Sequence, residues 1–378
     1  MTATTPFWLD EPYRPRPPLE GDVDVEACVI GAGVGGLACA RRLARLGIDT
    51  LVLERDTVAG GASGRNGGFL LAGLAAFHVD ARERYGAEEA RRLYARTLEA
   101  QEEIYALAAE LGAGDAVRRT GLLRVSASEE EAEHVRRHVA ALQADGFPGE
   151  LLGREELPPA LRKSFWNACL TEHDGALQPA RWIRALAGAA EAAGARIHER
   201  SGVSGPVSAP EVTTGAATVR ARAVIVASDG ALPALVPACA ERVRARRLHM
   251  VATDPLDTRL VDCPVYARWG HEYFQQTPDG RLLAGGFSDL DAEASYTDRD
   301  EGNPAVWERI ERYLREDLEA GAPVTHRWVG TVGYSPDGLP FVGAVPGSPG
   351  LYAAGGYSGH GNVLGFVAGE QLADLVAR

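Results

Sequence analysis

Residues 25–36 read Val25-Glu26-Ala27-Cys28-Val29-Ile30-Gly31-Ala32-Gly33-Val34-Gly35-Gly36, an apolar run that enters a glycine turn. The next eleven residues, Leu37 to Gly47, place apolar side chains at 37, 40, 43, 44 and 46, the spacing of a helix. A second apolar run, Thr50-Leu51-Val52-Leu53, stops at Glu54. Strand, glycine loop, helix, strand and acid together form a dinucleotide fingerprint, with Gly31, Gly33 and Gly36 in the three glycine places. Gly31 allows the tight turn, Gly33 lets backbone approach a pyrophosphate, and Gly36 lets helix and strand pack closely. The helix N-terminus offers free N–H groups and partial positive charge to the phosphate. Glu54 can accept both hydroxyls of an adenosine ribose and would repel a 2′-phosphate, which disfavours an NADP site. The bland alternative is an ordinary βαβ unit with a tight turn.

The chain has 378 residues, enough for two domains with real cores. Its charge of −13, from 39 basic and 52 acidic residues, argues against nucleic acid or a membrane surface as partner. Lys163 is the only lysine. The five cysteines, at 28, 39, 169, 239 and 263, show no metal-ligand spacing, so no metal site is expected and buried free thiols are. The odd count fits a reducing cytoplasm. No apolar stretch reaches membrane-spanning length, and no secretory pattern opens the sequence.

Past Glu54 come Arg55 and a second glycine-rich loop, Gly60-Gly61-Ala62-Ser63-Gly64-Arg65-Asn66-Gly67-Gly68. Its many free N–H groups can wrap a ligand closely. These segments together resemble the D-amino acid oxidase (DAO) superfamily of FAD enzymes. The Ala-Ser-Gly-Arg-Asn-Gly-Gly form is most similar to the gamma-glutamylputrescine oxidase branch, beside the glycine and sarcosine oxidases. The resemblance implies that the second loop, with Ser63, Arg65, Asn66 and Gly67, reaches the pyrophosphate and the flavin ring.

A second anchor lies near the C-terminus. Leu351-Tyr352-Ala353-Ala354-Gly355-Gly356-Tyr357-Ser358-Gly359-His360-Gly361-Asn362 leads into an apolar helix over 363–376. This is again strand, glycine turn and helix, whose N-terminus can stabilise charge on a reduced flavin. The resemblance assigns Gly355, Gly359, His360, Gly361, Asn362 and Val363 to the cofactor, with Val203 at its adenine end and Gly230 in a turn that closes the sheet over it.

The resemblance covers nearly the whole chain and implies an α/β fold: a discontinuous Rossmann-like FAD-binding domain over 21–76, 175–240 and 335–378. A substrate domain with a mixed or antiparallel sheet and helices takes 77–174 and 241–334. Residues 1–20, rich in proline but carrying Phe7 and Trp8, read as an extended strap docked on the body. Helices are expected over 79–112, 129–144, 179–193 and 304–319, and strands over 122–125, 195–198, 223–227, 249–252, 265–269, 273–275 and 281–287.

The implied chemistry is oxidation of an amine C–N bond to an imine by hydride transfer to flavin N5, with O2 or another acceptor. The sarcosine oxidases attach FAD through a cysteine; Gly330 stands at the matching place, so non-covalent FAD is expected. The carboxylate-binding arginine of the amino-acid oxidases is matched by Val332, and the two lysines of the sarcosine oxidases by Val363 and about Leu283. An amine whose carboxylate is distant or absent is therefore expected over a simple α-amino acid. His249, Tyr266, Arg268 and His360 are the candidate catalytic group, His360 for cofactor contact rather than proton transfer. Trp269, His271 and Tyr273 are further pocket candidates, and strand alternation places 266, 268 and 273 on one face. Arg268 is the candidate for a distal carboxylate. The competing readings are a flavin monooxygenase, a flavoprotein active only with a partner, and an NAD dehydrogenase. A homo-oligomer stays open.

Overall fold

The structure, a computed structural model, describes residues 2–378. A seven-stranded sheet is built around the strand Val23–Ile30, which pairs in parallel with Thr50–Leu53 on one side and Thr218–Val226 on the other. Arg196–His198 extends it at one edge and Leu351–Gly355 and Phe341–Ala344 at the other. The strand Val23–Ile30 alternates at its start and is wholly buried over its last four residues. That is the pattern of a parallel strand covered on both faces.

Three helices cover this sheet or pack on those that do: Val34–Arg45, Pro179–Ala192 and Gly361–Val376. The first and last meet along glycine. A Cβ on Gly35 would stand 3.2 Å from the Gly365 carbonyl oxygen, and one on Gly369 would stand 2.2 Å from the Gly35 oxygen. This contact brings the N-terminal and C-terminal glycine turns side by side.

The second sheet has eight strands. Its order runs Val324–Tyr334, Arg244–Pro255, Arg281–Gly286, Glu272–Gln276, Val265–Ala267, Leu122–Val125, Asn167–Thr171 and Glu150–Gly153. All its neighbours are antiparallel except the pair between Val265–Ala267 and Leu122–Val125. Its far face carries a separate core including Trp307, Phe274, Phe287 and Tyr313.

The expected elements are present with local departures. The helix over 79–112 is two helices, His78–Tyr85 and Ala87–Glu110, divided at Gly86 with φ +87°. The helix over 129–144 is capped by Ser128, whose hydroxyl accepts from Glu131 N–H. The helix from Pro304 is α-helical to Arg312 and ends in a wider turn at Tyr313–Asp317. The strand expected over 265–269 stops at Ala267, because Arg268 and Trp269 have φ of +47° and +58°. The N-terminal segment lies across the second glycine loop, with Trp8 buried and its Nε1 donating to the Asn66 carbonyl at 2.8 Å. No helix among the described residues is long and apolar enough to cross a membrane.

Candidate active site

Three cavities lie side by side between the two sheets and share lining residues. The largest, about 780 Å³, runs from Glu54 past the glycine turns to Gly230 and Thr331. One of about 70 Å³ lies at the N-terminus of the first helix, between Gly33 and Gly361. The third, about 200 Å³, lies under the antiparallel sheet. Ala62 lines all three.

The largest cavity has the shape and chemistry of a dinucleotide groove. Gly31 turns at φ +107°, where a Cβ would meet the Ala227 carbonyl at 2.6 Å. A Cβ on Gly36 would stand 1.9 Å from the Gly31 carbonyl oxygen, so Gly36 sets the packing of helix on strand and does not line the groove. Val34 N–H at the helix start donates to Ser63 Oγ at 3.0 Å, joining the two glycine loops. Glu54 accepts from Ala32 N–H at 2.8 Å and Asp56 N–H at 2.9 Å, which leaves lone pairs on both oxygens for a ribose. Burial raises its carboxyl above the usual range, against those two backbone donors. Arg55, Arg65, Val203 and Gly230 line the same groove, and Ser228 presents there a buried hydroxyl with no partner in the protein. An extended FAD fits these residues.

The C-terminal turn reaches the other end. Gly359, at φ +91°, and Asn362 line both smaller cavities, and Gly361 the one beside the first helix. Asn362 and Asn66 exchange side-chain hydrogen bonds at 3.1 and 3.2 Å, which clamps the second glycine loop to the C-terminal turn. Gly67 lines the cavity under the antiparallel sheet, against the ring of Tyr273. Besides Gly36, three expected cofactor residues line none of the cavities: Gly355 packs its backbone on Asp229, Val363 is buried in the core, and His360 is buried.

Asp229, which sequence reasoning passed over, holds the groove together. Its carboxylate accepts from Gly333 N–H at 2.8 Å and Gly356 N–H at 3.0 Å. It thereby ties the strand Val324–Tyr334 to the C-terminal turn. Burial raises its carboxyl, and four backbone N–H groups oppose that rise. An acid beside a glycine just past a buried apolar strand was the available signal.

The cavity under the antiparallel sheet is walled by Tyr266, Tyr273 and Tyr334, with Trp269 and His271 beside them. Tyr266 and Tyr273 stack at 6.0 Å and 24°. Burial lifts the Tyr266 phenol to about 12 and raises that of Tyr273 further, so both are protonated hydrogen-bonding groups. From the strand Arg244–Pro255, Arg246, Leu248 and Met250 face the cavity.

Three of the four catalytic candidates, His249, Arg268 and His360, do not line it. His249 falls on the opposite face of its strand, where Nε2 accepts from Asn303 N–H at 2.8 Å and the ring meets Trp307 edge-on. Burial, then Arg247, lower it to about 4. Arg268, beyond the end of its strand, pairs with Glu272 at 3.2 Å and Asp289 at 2.5 Å. His360 is buried behind Tyr266, whose ring it meets at 6.1 Å and 84°. Burial, then Arg124, lower its imidazole to about 3, so it is neutral at pH 7 and holds no imidazolium proton to deliver.

None of the five cysteines lines these three cavities, so no thioether can form there and FAD is held without one.

The chain is 31% identical to "Probable oxidoreductase OrdL" of Rhizobium meliloti (strain 1021), over 96% of this chain and 86% of that protein. It is 27% identical to gamma-glutamylputrescine oxidoreductase of Escherichia coli (strain K12), over 96% and 86%. The fold matches the crystal structure of glycine oxidase from Geobacillus kaustophilus with a TM-score of 0.79 at 24% identity, over 93% of this chain and 94% of that one. The DAO family profile, FAD dependent oxidoreductase, matches residues 26–375, and the chain belongs to this family of FAD-dependent oxidoreductases.

Proposed function

We propose that this flavoprotein oxidises the C–N bond of an amine, or of an amine derived from an amino acid, to an imine. The observation that carries the reading is a row of adjoining cavities. It begins at a ribose-binding carboxylate, passes two glycine anchors, and ends in an aromatic chamber lined by no aspartate or glutamate. FAD, when bound, would supply the two-electron acceptor for the substrate hydride, with O2 or another acceptor as the final oxidant.

The residues of the chain orient and tune. Gly31, Gly33, Ser63, Arg65 and Gly361 hold the diphosphate, Glu54 the ribose, and Val203 and Gly230 the adenine side. Asn66, Gly67, Gly359 and Asn362 flank the flavin end. The N-terminus of the helix Gly361–Val376 directs its free N–H groups at charge that develops there. The Tyr266 and Tyr273 rings flank the substrate. With no carboxylate on the wall to stabilise an ammonium, the amine enters neutral and needs no protein base to free its lone pair. The imine then hydrolyses in water. The names of the gamma-glutamylputrescine and glycine enzymes support an amine or amino acid as substrate class.

A screen of primary amines, N-methyl amines and amino acids tests the reading. Each is offered to the FAD-loaded chain with O2 or an artificial dye as acceptor. One class is expected to give carbonyl product and released amine in step with acceptor reduction. Absence of product from every class with both acceptors overturns it.

A further inference from the structure

A fourth and smaller cavity, about 20 Å³, lies behind the chamber and adjoins it at Leu71. It has room for one water or one halide ion. Arg124 lines it, from the strand Leu122–Val125, and is only 8% exposed. Arg124 makes no ion pair among the described residues, and its buried Nη1 has no acceptor. The guanidinium stands 4.5 Å from the Phe77 ring centre and 5.3 Å from that of Tyr266. Two rings thus share its charge, but neither gives Nη1 a lone pair. Arginine keeps its proton in proteins, so the charge cannot be shed by titration. Glu131 feels this charge but is held elsewhere: its oxygens accept from the Ala127 and Trp269 N–H groups, both at 2.7 Å. Asp174 is the one acid on the cavity wall, and its own donors occupy it. Its Oδ1 accepts from Ala72 N–H and Gln101 Nε2, both at 2.8 Å, and its Oδ2 from the Thr171 hydroxyl. A second donor belongs to the same wall. His138 lines the cavity, and its Nδ1 accepts from His78 N–H at 2.9 Å. Burial keeps this ring neutral, so its proton sits on Nε2, which has no acceptor among the described residues.

A buried cation that cannot titrate and a neutral N–H with no acceptor, on the wall of one small cavity, call for negative charge between them. A water would satisfy the donors and leave the buried charge uncompensated, at a large cost. We propose that this cavity is a halide site, with chloride seated between the Arg124 guanidinium and His138 Nε2–H. The volume is too small for sulfate, phosphate or an organic acid, so the ligand is a salt ion and not the substrate. Arg124 also stands over Tyr266, a wall of the chamber, so a bound halide screens its charge from whatever fills the chamber. The proposal rests on the cavity and not on the reaction.

The test uses the FAD-loaded chain dialysed into sodium gluconate. Sodium chloride, bromide and sulfate each replace gluconate at constant ionic strength, at low total concentration, where the general exclusion effects of salts are small. The melting temperature is followed. Chloride and bromide are expected to raise it along a saturating curve, and sulfate to leave it unchanged. The halide Kd read from that curve should weaken at least tenfold in R124M and by less in H138F. Crystals of the unmodified chain soaked in bromide are expected to show anomalous density between Arg124 and His138. Flavin content establishes that each variant is folded. Should R124M fail to fold, H138F and the bromide density of the unmodified chain still decide. Three results overturn the proposal: no saturable halide shift in the unmodified chain, an equal shift in folded R124M, or bromide density that lies in the chamber or at the surface and not in this cavity.

Discussion

The cofactor groove and the substrate chamber share a wall but are made of different material. The groove is shaped by backbone. Its turns work because Gly31, Gly33, Gly36 and Gly359 lack side chains, and its donors are main-chain N–H groups at two helix starts. The chamber is shaped by side chains spread over five strands, from Arg246, Leu248 and Met250 through Tyr266 and Tyr273 to Gly286 and Val332. A groove of backbone tolerates little change anywhere along it, whereas a chamber of side chains can be rewritten one residue at a time. The fold thus keeps the chemistry constant and leaves the choice of substrate to a few positions on one sheet.

Substitutions on either side should separate the two. The largest effect is expected from Gly36→Ala. Its Cβ would stand 1.9 Å from the Gly31 carbonyl oxygen, and such overpacking against main chain costs about 3 kcal/mol or more. The chain should lose both melting temperature and flavin content. Retention of full flavin content would break the claim that the groove depends on bare backbone.

Next comes Asp229→Ala. It strands the Gly333 and Gly356 N–H groups, at about 1–3 kcal/mol for each unpaired donor. Equilibrium dialysis of FAD should show weakened affinity. Tyr266→Phe, in the chamber, is expected to keep its flavin and to alter substrate KM by less than about tenfold, the worth of one hydrogen bond. Steady-state kinetics beside flavin content check this split.

Glu272 gives a pH test on the far side of the chamber sheet. Burial lifts its carboxyl to about 7, with Arg268 opposing. The folded chain keeps a proton there that the unfolded chain releases above its ordinary value of 4.5. Its contribution to stability is full below that value and is lost as pH rises from 4.5 to 7. Denaturant melts across this range should fall with pH, and fall less in Glu272→Gln. The smallest effect is expected from Arg268→Gln. Its guanidinium and Asp289 are partly exposed, and buried Glu272 can take up a proton when the cation is gone, so stability should drop by about 1 kcal/mol or less. Substrate KM should not move, because Arg268 lies outside the chamber.

The same division decides what could be read from sequence. Gly31 to Glu54 is a local unit in which strand, turn, helix and acid are contiguous, so spacing alone conveys its geometry. The turn from Gly355 to Asn362 is similar in kind, although Gly355 and Val363 serve packing rather than the cavity. The chamber could not be read this way. Alternation along the strand holding His249 is correct, but which face looks inward depends on the helix Pro304–Arg312 behind it, which takes His249 and leaves Arg246 to the cavity. Arg268 was misplaced because alternation was carried past Ala267 into two left-handed residues that no local signal marks. The close contact of Gly35 with Gly365 and Gly369 joins segments more than three hundred residues apart. Small residues four apart on the last helix were its trace in the sequence.

The most direct test of the central claim is anaerobic reduction of the bound flavin. The FAD-loaded chain is mixed without oxygen with a panel of amines, with and without a carboxylate, and the visible flavin band is followed. The proposed amine oxidation predicts that at least one class of amine bleaches the band. A flavin that stays oxidised with every amine, or a chain that takes up no FAD at all, would contradict it.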